Sequence, residues 1–332
     1  MNAAKTKQKK GAAWVIGIIA CSVLGVMLVA FLAINALVRI SYNQFYNSAE
    51  PQFPIPGLDE GFIPQDLDYL DVADVWLFSG YAASGPSPIY VRTADGSTKR
   101  IFVKMLDGVP YDGHGSGITS DDTRIFLTRE GGMLVLNVAD VLAATDGDAV
   151  QAVTDRDLDF SPAFMNIEDN TLYLGNFFRP GNYETPENHR IEAPDGTVNP
   201  AVMYAYPLDA DAPLGFAEAP ERVYSITDQI QGMCESPSGE IVLSQSYGLA
   251  TSHLLAYDME ALLPVGTFVA DGVEVPLYSL NSTNFTRELT TPPMSEGIEF
   301  HDGRIWVSYE SASDKYFFGK LYGAGQVYTL TL

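Results

Sequence analysis

Residues 296–308 read EGIEFHDGRIWVS, and this stretch indicates most clearly how the chain folds. A polar residue and a glycine open it, and an apolar run leads to a turn at Asp302-Gly303. A second apolar run then ends in a small residue. Apolar residues that alternate on both sides of an Asp-Gly turn are typical of a tight β-hairpin. The stretch is therefore predicted to form two antiparallel strands.

The same pattern occurs four more times along the chain, at residues 65–79, 116–128, 163–175 and 231–244. The small residues that end the five copies are 49, 47, 69 and 64 residues apart. A further apolar stretch follows each copy, so each unit holds three or four strands, which is the content of a propeller blade. Blades bury their two faces by stacking in a ring.

The repeats predict an all-β fold, a β-propeller over residues 65–332. Five blades are favoured, and six are possible because the two longest intervals leave room for a degenerate blade. A β-sandwich is the alternative fold, but five matched hairpins at this spacing are hard to place in two sheets.

The amino-terminal region has a different composition. Residues 12–38 are almost wholly apolar and carry no charge, which is long enough to cross a bilayer core of roughly 30 Å. Four lysines precede them and no acidic residue occurs before Glu50. This charge pattern predicts a cytoplasmic tail at 1–11, an uncleaved signal-anchor helix at 12–38 and an extracytoplasmic propeller on a single-pass cell-membrane protein. A cleaved signal peptide and a lipoprotein modified at Cys21 are the alternatives.

Residues 39–64 contain four prolines and are predicted to be an extended linker between the membrane and the propeller. The chain has 19 basic and 42 acidic residues, and the part after residue 40 has 14 basic and the same 42 acidic ones. A domain with a net charge of −28 repels phosphate backbones, which excludes nucleic acid as a partner.

The repeat register places polar residues at the start of each innermost strand, where they surround one mouth of the central channel. Converging polar groups at such a mouth suggest a ligand-binding site. Strand exits at the same mouth add further polar groups. The predicted ligand-binding residues are Gln65, Ser116, Asn176, Gln231, Tyr247 and Lys315.

Residues 231–243 resemble a blade opening of the gluconolactonase and senescence-marker-protein (regucalcin-like) family. That resemblance implies a calcium-dependent lactonase on a six-bladed propeller. Residue matching puts the metal position of the family on Gln231, and Glu296 stands in for a glutamate ligand. The whole chain also resembles exported β-propeller proteins of actinobacteria that have no assigned activity, through its His-Gly, Ser-x-Ser-Tyr-Gly and Tyr-Glu-Ser-Ala segments.

These sequence features predict two alternative functions. The first is a membrane-anchored, extracytoplasmic binding module for an unknown extracellular ligand or protein, with contact loops at 179–200 and 264–292 and no cofactor. The second is a divalent-metal-dependent hydrolase of a lactone or ester, with calcium as the possible metal and His114 or Glu310 as the base. Binding is favoured over catalysis because no common catalytic motif occurs.

Overall fold

The computed structural model describes residues 2–236, 238–260 and 262–331, and only the backbone of residues 2–10 is described. The helices are α1 (Asn2–Ser41), α2 (Asn43–Ser48), α3 (Val138–Ala143) and α4 (Gly319–Tyr322). Short 3-10 helices lie at Leu58–Glu60, Asp71–Ala73, Glu187–His189 and Glu310–Ala312.

The described strands, in chain order, are β1 (Glu50–Pro54), β2 (Phe62–Leu70), β3 (Val75–Ala82), β4 (Pro88–Thr93), β5 (Thr98–Lys104), β6 (Ile118–Ser120), β7 (Arg124–Arg129), β8 (Gly132–Asn137), β9 (Ala149–Gln151), β10 (Thr154–Asp157), β11 (Phe164–Glu168), β12 (Thr171–Gly175), β13 (Ile191–Glu192), β14 (Val198–Asn199), β15 (Ala201–Pro207), β16 (Arg222–Ile226), β17 (Ile230–Glu235), β18 (Glu240–Gln245), β19 (Ser252–Asp258), β20 (Gly266–Ala270), β21 (Val273–Ser279), β22 (Phe285–Thr291), β23 (Ser295–His301), β24 (Arg304–Tyr309) and β25 (Gln326–Leu330).

Contacts divide the chain into two compact units, residues 1–43 and residues 44–332. The first consists mainly of α1, whose segment Gly11–Ser41 has a mean hydropathy of 2.8 and is long enough to cross a membrane. It is a candidate membrane span or signal sequence.

The second unit is a five-bladed β-propeller, which confirms the fold predicted from the repeats. The blades in chain order are β2-β3-β4-β5, β6-β7-β8-β10, β11-β12-β15-β16, β17-β18-β19-β22 and β23-β24-β25-β1. The innermost strands β2, β6, β11, β17 and β23 pack side by side, and β23 packs beside β2 to close the ring. Each predicted hairpin supplies the two inner strands of one blade.

The core consists of apolar layers between neighbouring blades. Strand β8 shows how one strand serves two layers, because its side chains alternate between the two faces of its blade. Leu134 and Leu136 pack toward the first blade, and Met133 and Val135 pack toward the third. All four are buried, so the strand is apolar at consecutive positions rather than alternating with polar ones.

The amino-terminal side of the propeller differs from the predicted linker at 39–64. Strand β1 lies inside that segment and pairs antiparallel with β25, from Glu50 opposite Thr329 to Pro54 opposite Gln326. Phe45 in α2 is fully buried, and its ring lies 5.3 Å from that of Tyr328. A proline-rich strand is possible here because β1 is the outer edge of its blade, where a missing N–H breaks no ladder.

The two long intervals of the repeat do not hold a sixth blade. Within the predicted contact loop 264–292, β20 and β21 form a hairpin that joins the third blade, with β21 parallel to β16, and β22 is the outer strand of the fourth blade. Within 179–200, β13 pairs with β14 and His189 is buried. Much of both segments is therefore packed structure, which corrects their prediction as loops.

A buried ion pair fastens the β20–β21 hairpin to the second blade. Arg156 Nη2 lies 2.9 Å from Asp271 Oδ2, with the two side chains 14 % and 16 % exposed, and the Tyr206 hydroxyl donates to the same oxygen at 2.8 Å. We expect Asp271→Asn to lower the free energy of unfolding by about 2–3 kcal/mol, because Arg156 loses its buried counter-ion.

Urea unfolding measures that loss. The matched control is Asp157→Asn, which removes a carboxylate that pairs with Arg129 but is 91 % exposed, and we expect it to cost less than about 1 kcal/mol. Equal losses in the two variants would contradict the role given to burial.

Candidate functional site

Glycines occupy equivalent positions in three of the innermost repeats, where neighbouring strands approach closely. A Cβ on Gly232 would lie 2.9 Å from the carbonyl oxygen of Glu296, and one on Gly117 would lie 2.8 Å from the backbone nitrogen of Met165. A Cβ on Gly297 would overlap the carboxyl group of Asp66. These glycines let neighbouring innermost strands approach closely, so polar side chains beside them crowd together at the mouth.

Glu296 is the central group of this mouth. Its side chain is buried on β23, and Gln231 Nε2 donates to its Oε1 at 3.4 Å. Burial raises the pKa of Glu296 well above its usual range, and the nearby carboxylates of Glu310 and Asp66 raise it further. These shifts favour the neutral form of the group, and a neutral carboxyl group can both donate and accept a hydrogen bond.

Glu310 accepts hydrogen bonds from aromatic side chains beside Glu296. The hydroxyls of Tyr81 and Tyr316 both donate to Glu310 Oε1 at 3.0 Å. Lys315 Nζ lies 2.5 Å from the Tyr81 hydroxyl and 5.0 Å from the centre of its ring. His114 is exposed, and its ring centre is 4.6 Å from that of Tyr81. Three rings, a carboxylate and an ammonium thus lie together beside Glu296.

Some of the predicted residues take other roles. Asn176 is buried away from solvent, where its Oδ1 accepts from the Val202 amide at 2.8 Å and its Nδ2 meets His189 Nδ1 at 2.9 Å. Burial lowers the pKa of His189 to about 4. The described hydrogen bonds of Asn176 therefore lie within the third blade, and none of them joins it to Glu296.

The remaining predicted residues border the channel without a described hydrogen bond to Glu296. Gln65 is buried and donates to the Pro64 carbonyl at 3.1 Å, and Ser116 is half-buried before β6. Tyr247 is half-buried, with the Arg179 guanidinium 3.8 Å above its ring. The candidate site therefore consists of two sets of described contacts. Gln231 contacts Glu296, and Tyr81 contacts His114, Glu310 and Lys315.

A second set of acids lies deeper in the channel and was missed by the sequence reasoning. Asn166 Nδ2 donates to Glu299 Oε2 at 3.1 Å and to the Met233 carbonyl at 2.9 Å. Asp68 accepts from the Ser120 hydroxyl at 2.5 Å. The innermost strands carry these groups, so a search three to five positions further along each repeat would have found them.

Burial controls the protonation of these deeper acids. It raises the pKa of Asp68 to about 7 and that of Glu168 to about 8. Burial also raises the pKa of Glu299 well above its usual range, and the carboxylates of Asp68 and Glu168 add to the shift. Burial raises the pKa of the Cys234 thiol as well, and the carboxylates of Glu168 and Glu299 add to that shift. We name Asp68, Glu168 and Glu299 the channel acids.

The donor set does not fit the calcium ion that the resemblance implies. Calcium takes six to eight oxygen ligands and favours carboxylates. Glu296 and Gln231 are neighbours, but Gln231 is neutral, and both oxygens of nearby Asp66 already accept the amides of Leu67 and Ile118. Among the residues that the structure describes, no group of three His, Cys, Asp or Glu side chains is placed to hold a metal ion.

The sequence matches no model of a known protein family and no curated protein sequence. Among solved structures, Hsv2 of Kluyveromyces lactis is 9 % identical with a TM-score of 0.32, over 72 % of this chain and 57 % of that chain. The PQQ-bound aldose sugar dehydrogenase of Streptomyces coelicolor is 14 % identical with a TM-score of 0.44, over 79 % and 78 %. The WD40 β-propeller domain of Doa1 is 9 % identical with a TM-score of 0.39, over 85 % and 96 %.

This chain thus spans less than two thirds of the length of Hsv2. Structural similarity at these TM-scores does not indicate an activity, a cofactor or a ligand for this chain. The resemblances to actinobacterial exported propellers and to the regucalcin-like family stay predictions.

Proposed function

We propose that this protein is a membrane-anchored binding propeller that takes a small polar ligand at the channel mouth around Glu296. The observation that supports the proposal most is the environment of Glu296. Its carboxyl group is buried beside Gln231, and Tyr81, Glu310 and Lys315 border the same opening. Groups of this kind, collected at one end of a rigid channel, orient a ligand without any movement of the backbone.

The chemistry of the mouth favours a neutral or cationic ligand that carries hydroxyl or amide groups. Burial favours the neutral form of Glu296, which exchanges hydrogen bonds with a hydroxyl group, and the rings of Tyr81 and His114 offer flat faces. A cation would be held by Glu310 and by the aromatic faces. The net charge of −28 after residue 40 opposes anionic ligands.

Anchoring of the propeller rests on α1 and on its flanking charges. Lysines occur only before the apolar segment in this part of the chain, and no acid precedes Glu50. The positive-inside rule then puts the amino terminus in the cytoplasm and the propeller on the other side of the membrane. Binding is proposed in preference to metal-dependent hydrolysis, because the donor set around Glu296 does not fit a divalent ion.

Thermal unfolding of the full chain in detergent tests the proposed site with a panel of monosaccharides, polyols and quaternary amines. A ligand at 100 times its Kd stabilises the folded state by about 2.7 kcal/mol, which raises the melting temperature by at least about a degree or two. We expect Glu296→Met to weaken that ligand about tenfold or more, because the donor and the acceptor of the buried carboxyl group are both lost. The exposed Glu130→Met serves as the control and should bind normally.

Equal affinity in the Glu296→Met variant and the wild type would contradict the proposed site. Calcium and a chelator form a separate arm of the same measurement. A rise in melting temperature with calcium that disappears in Glu296→Gln would replace the binding proposal with the metal-dependent hydrolase.

A further inference from the structure

An exposed aromatic pair lies on the segment that connects β24 with β25. Residues 314–322 read DKYFFGKLY, and Phe317 and Phe318 are 72 % and 45 % exposed, with ring centres 5.8 Å apart. Two adjacent exposed phenylalanines are unusual on a soluble surface, and exposed apolar patches mark places where another phase or partner is contacted.

The charge of this segment is opposite to that of the rest of the propeller. Lys315 and Lys320 are two of only 14 basic residues after position 40, and a single acid, Asp314, accompanies them and pairs with Lys320 at 2.8 Å. Aromatic side chains flanked by lysines are the composition of segments that lie in the interface of a bilayer, where the lysines meet lipid phosphates.

Few residues separate the candidate membrane span from a side chain that contacts this segment. The Tyr46 hydroxyl donates to the Tyr322 carbonyl at 2.5 Å, and the neighbouring Phe45 is fully buried in the propeller. Tyr46 follows Ser41, the last residue of the span, by only five positions. A chain of this length reaches at most about 18 Å.

We propose that residues 314–322 form a second membrane contact, with Phe317 and Phe318 in the interfacial layer of the lipid bilayer. The proposal rests on the membrane anchoring proposed above. Because Lys315 and Tyr316 also border the candidate ligand site, the contact would hold that mouth beside the lipid surface. Lipid is the occupant that the observations favour, since the aromatic pair, the lysines and the short tether all point to it.

Quenching of tryptophan emission by brominated lipids tests the contact in the full chain reconstituted into nanodiscs of phosphatidylcholine and phosphatidylglycerol. The wild type contains Trp14 in α1, and Trp76 and Trp306 in the propeller. The test variant carries Trp14→Phe with Phe317→Trp, so its new indole sits at the proposed contact. The matched control carries Trp14→Phe with Val72→Trp, an exposed position in the β2–β3 turn at the opposite end of the strands.

We expect brominated lipid to cause a loss of emission in the Phe317→Trp variant that is absent from the Val72→Trp variant and from Trp14→Phe alone. The emission maximum of the Phe317→Trp variant should also lie at shorter wavelength in nanodiscs than in lipid-free detergent. Equal emission with brominated and ordinary lipid in the Phe317→Trp variant would overturn the second contact.

The wild type distinguishes the absence of the second membrane contact from the absence of membrane anchoring through α1. Quenching of Trp14 shows that α1 is in the bilayer. If brominated lipid quenches Trp14 in the wild type but does not quench the Phe317→Trp variant, the second membrane contact is overturned and the anchoring is not. An unquenched Trp14 would overturn both the anchoring and the contact that rests on it.

Discussion

Removal of residues 1–54 is expected to abolish the closed propeller. The truncation deletes β1, the outer strand of the last blade, together with Phe45. It also deletes Phe53, which is buried with its ring centre 5.9 Å from that of Trp306. The first and last strands of the propeller share one blade, so their pairing closes the ring. Without it, β25 becomes an exposed edge and the aromatic layer between the last and first blades opens.

The matched control is a shorter truncation that begins at residue 44 and removes only α1 and its flanks. We expect it to unfold in one cooperative transition in urea, followed through Trp76 and Trp306, and we expect the chain that begins at residue 55 to show none. In the full chain, Phe45→Ala should cost about 3–5 kcal/mol, because it empties a fully buried site. A cooperative transition of equal midpoint in both truncated chains would show that β1 is not needed for closure.

Stability is expected to fall as the pH rises from about 5 to 8, because of the channel acids. Asp68 and Glu168 have pKa values of about 7 and 8 in the folded chain, against ordinary values near 4 in the unfolded chain. Between these limits the folded chain binds more protons than the unfolded chain, so each step to higher pH favours unfolding. The stabilisation is complete below about pH 4 and is lost as the pH passes through the folded pKa values.

Glu299→Gln should make this pH dependence shallower. The substitution removes one buried carboxyl group, and the new carbonyl oxygen can still accept the hydrogen bond from Asn166. We expect the free energy of unfolding to rise by about 1–2 kcal/mol at pH 8 and to change little at pH 5.

Urea unfolding of the full chain at a series of pH values measures both effects. The exposed Glu130→Gln is the control and should keep the wild-type slope between pH 5 and 8. A wild type whose stability rises over this range would show that the channel acids are ionised in the folded state, and would contradict their assignment as buried neutral groups.

Sequence reasoning proposed several residues of the candidate mouth and did not include their neighbours. Gln231, Glu296, His114 and Glu310 belong to repeat positions or strand exits, so the repeat register predicts that they lie at one end of the channel. Tyr81 was missed although it lies near the end of the second strand of its blade, because a single tyrosine there has no distinctive pattern. The contact between Asn176 and His189 was not predicted, because the repeat register does not relate the two residues and only the packed third blade brings them together.

Local patterns in the chain were enough to establish the five hairpins, the apolar helix and the acidity of the propeller. These properties depend on alternation, on turn residues and on composition, which act over a few residues at a time. The packed fold was needed to show that the proline-rich segment closes the last blade, that β20 and β21 join the third blade, and that the channel acids meet. Each of these depends on pairing between distant segments, where the partner and its burial, rather than the local pattern, determine what a residue does.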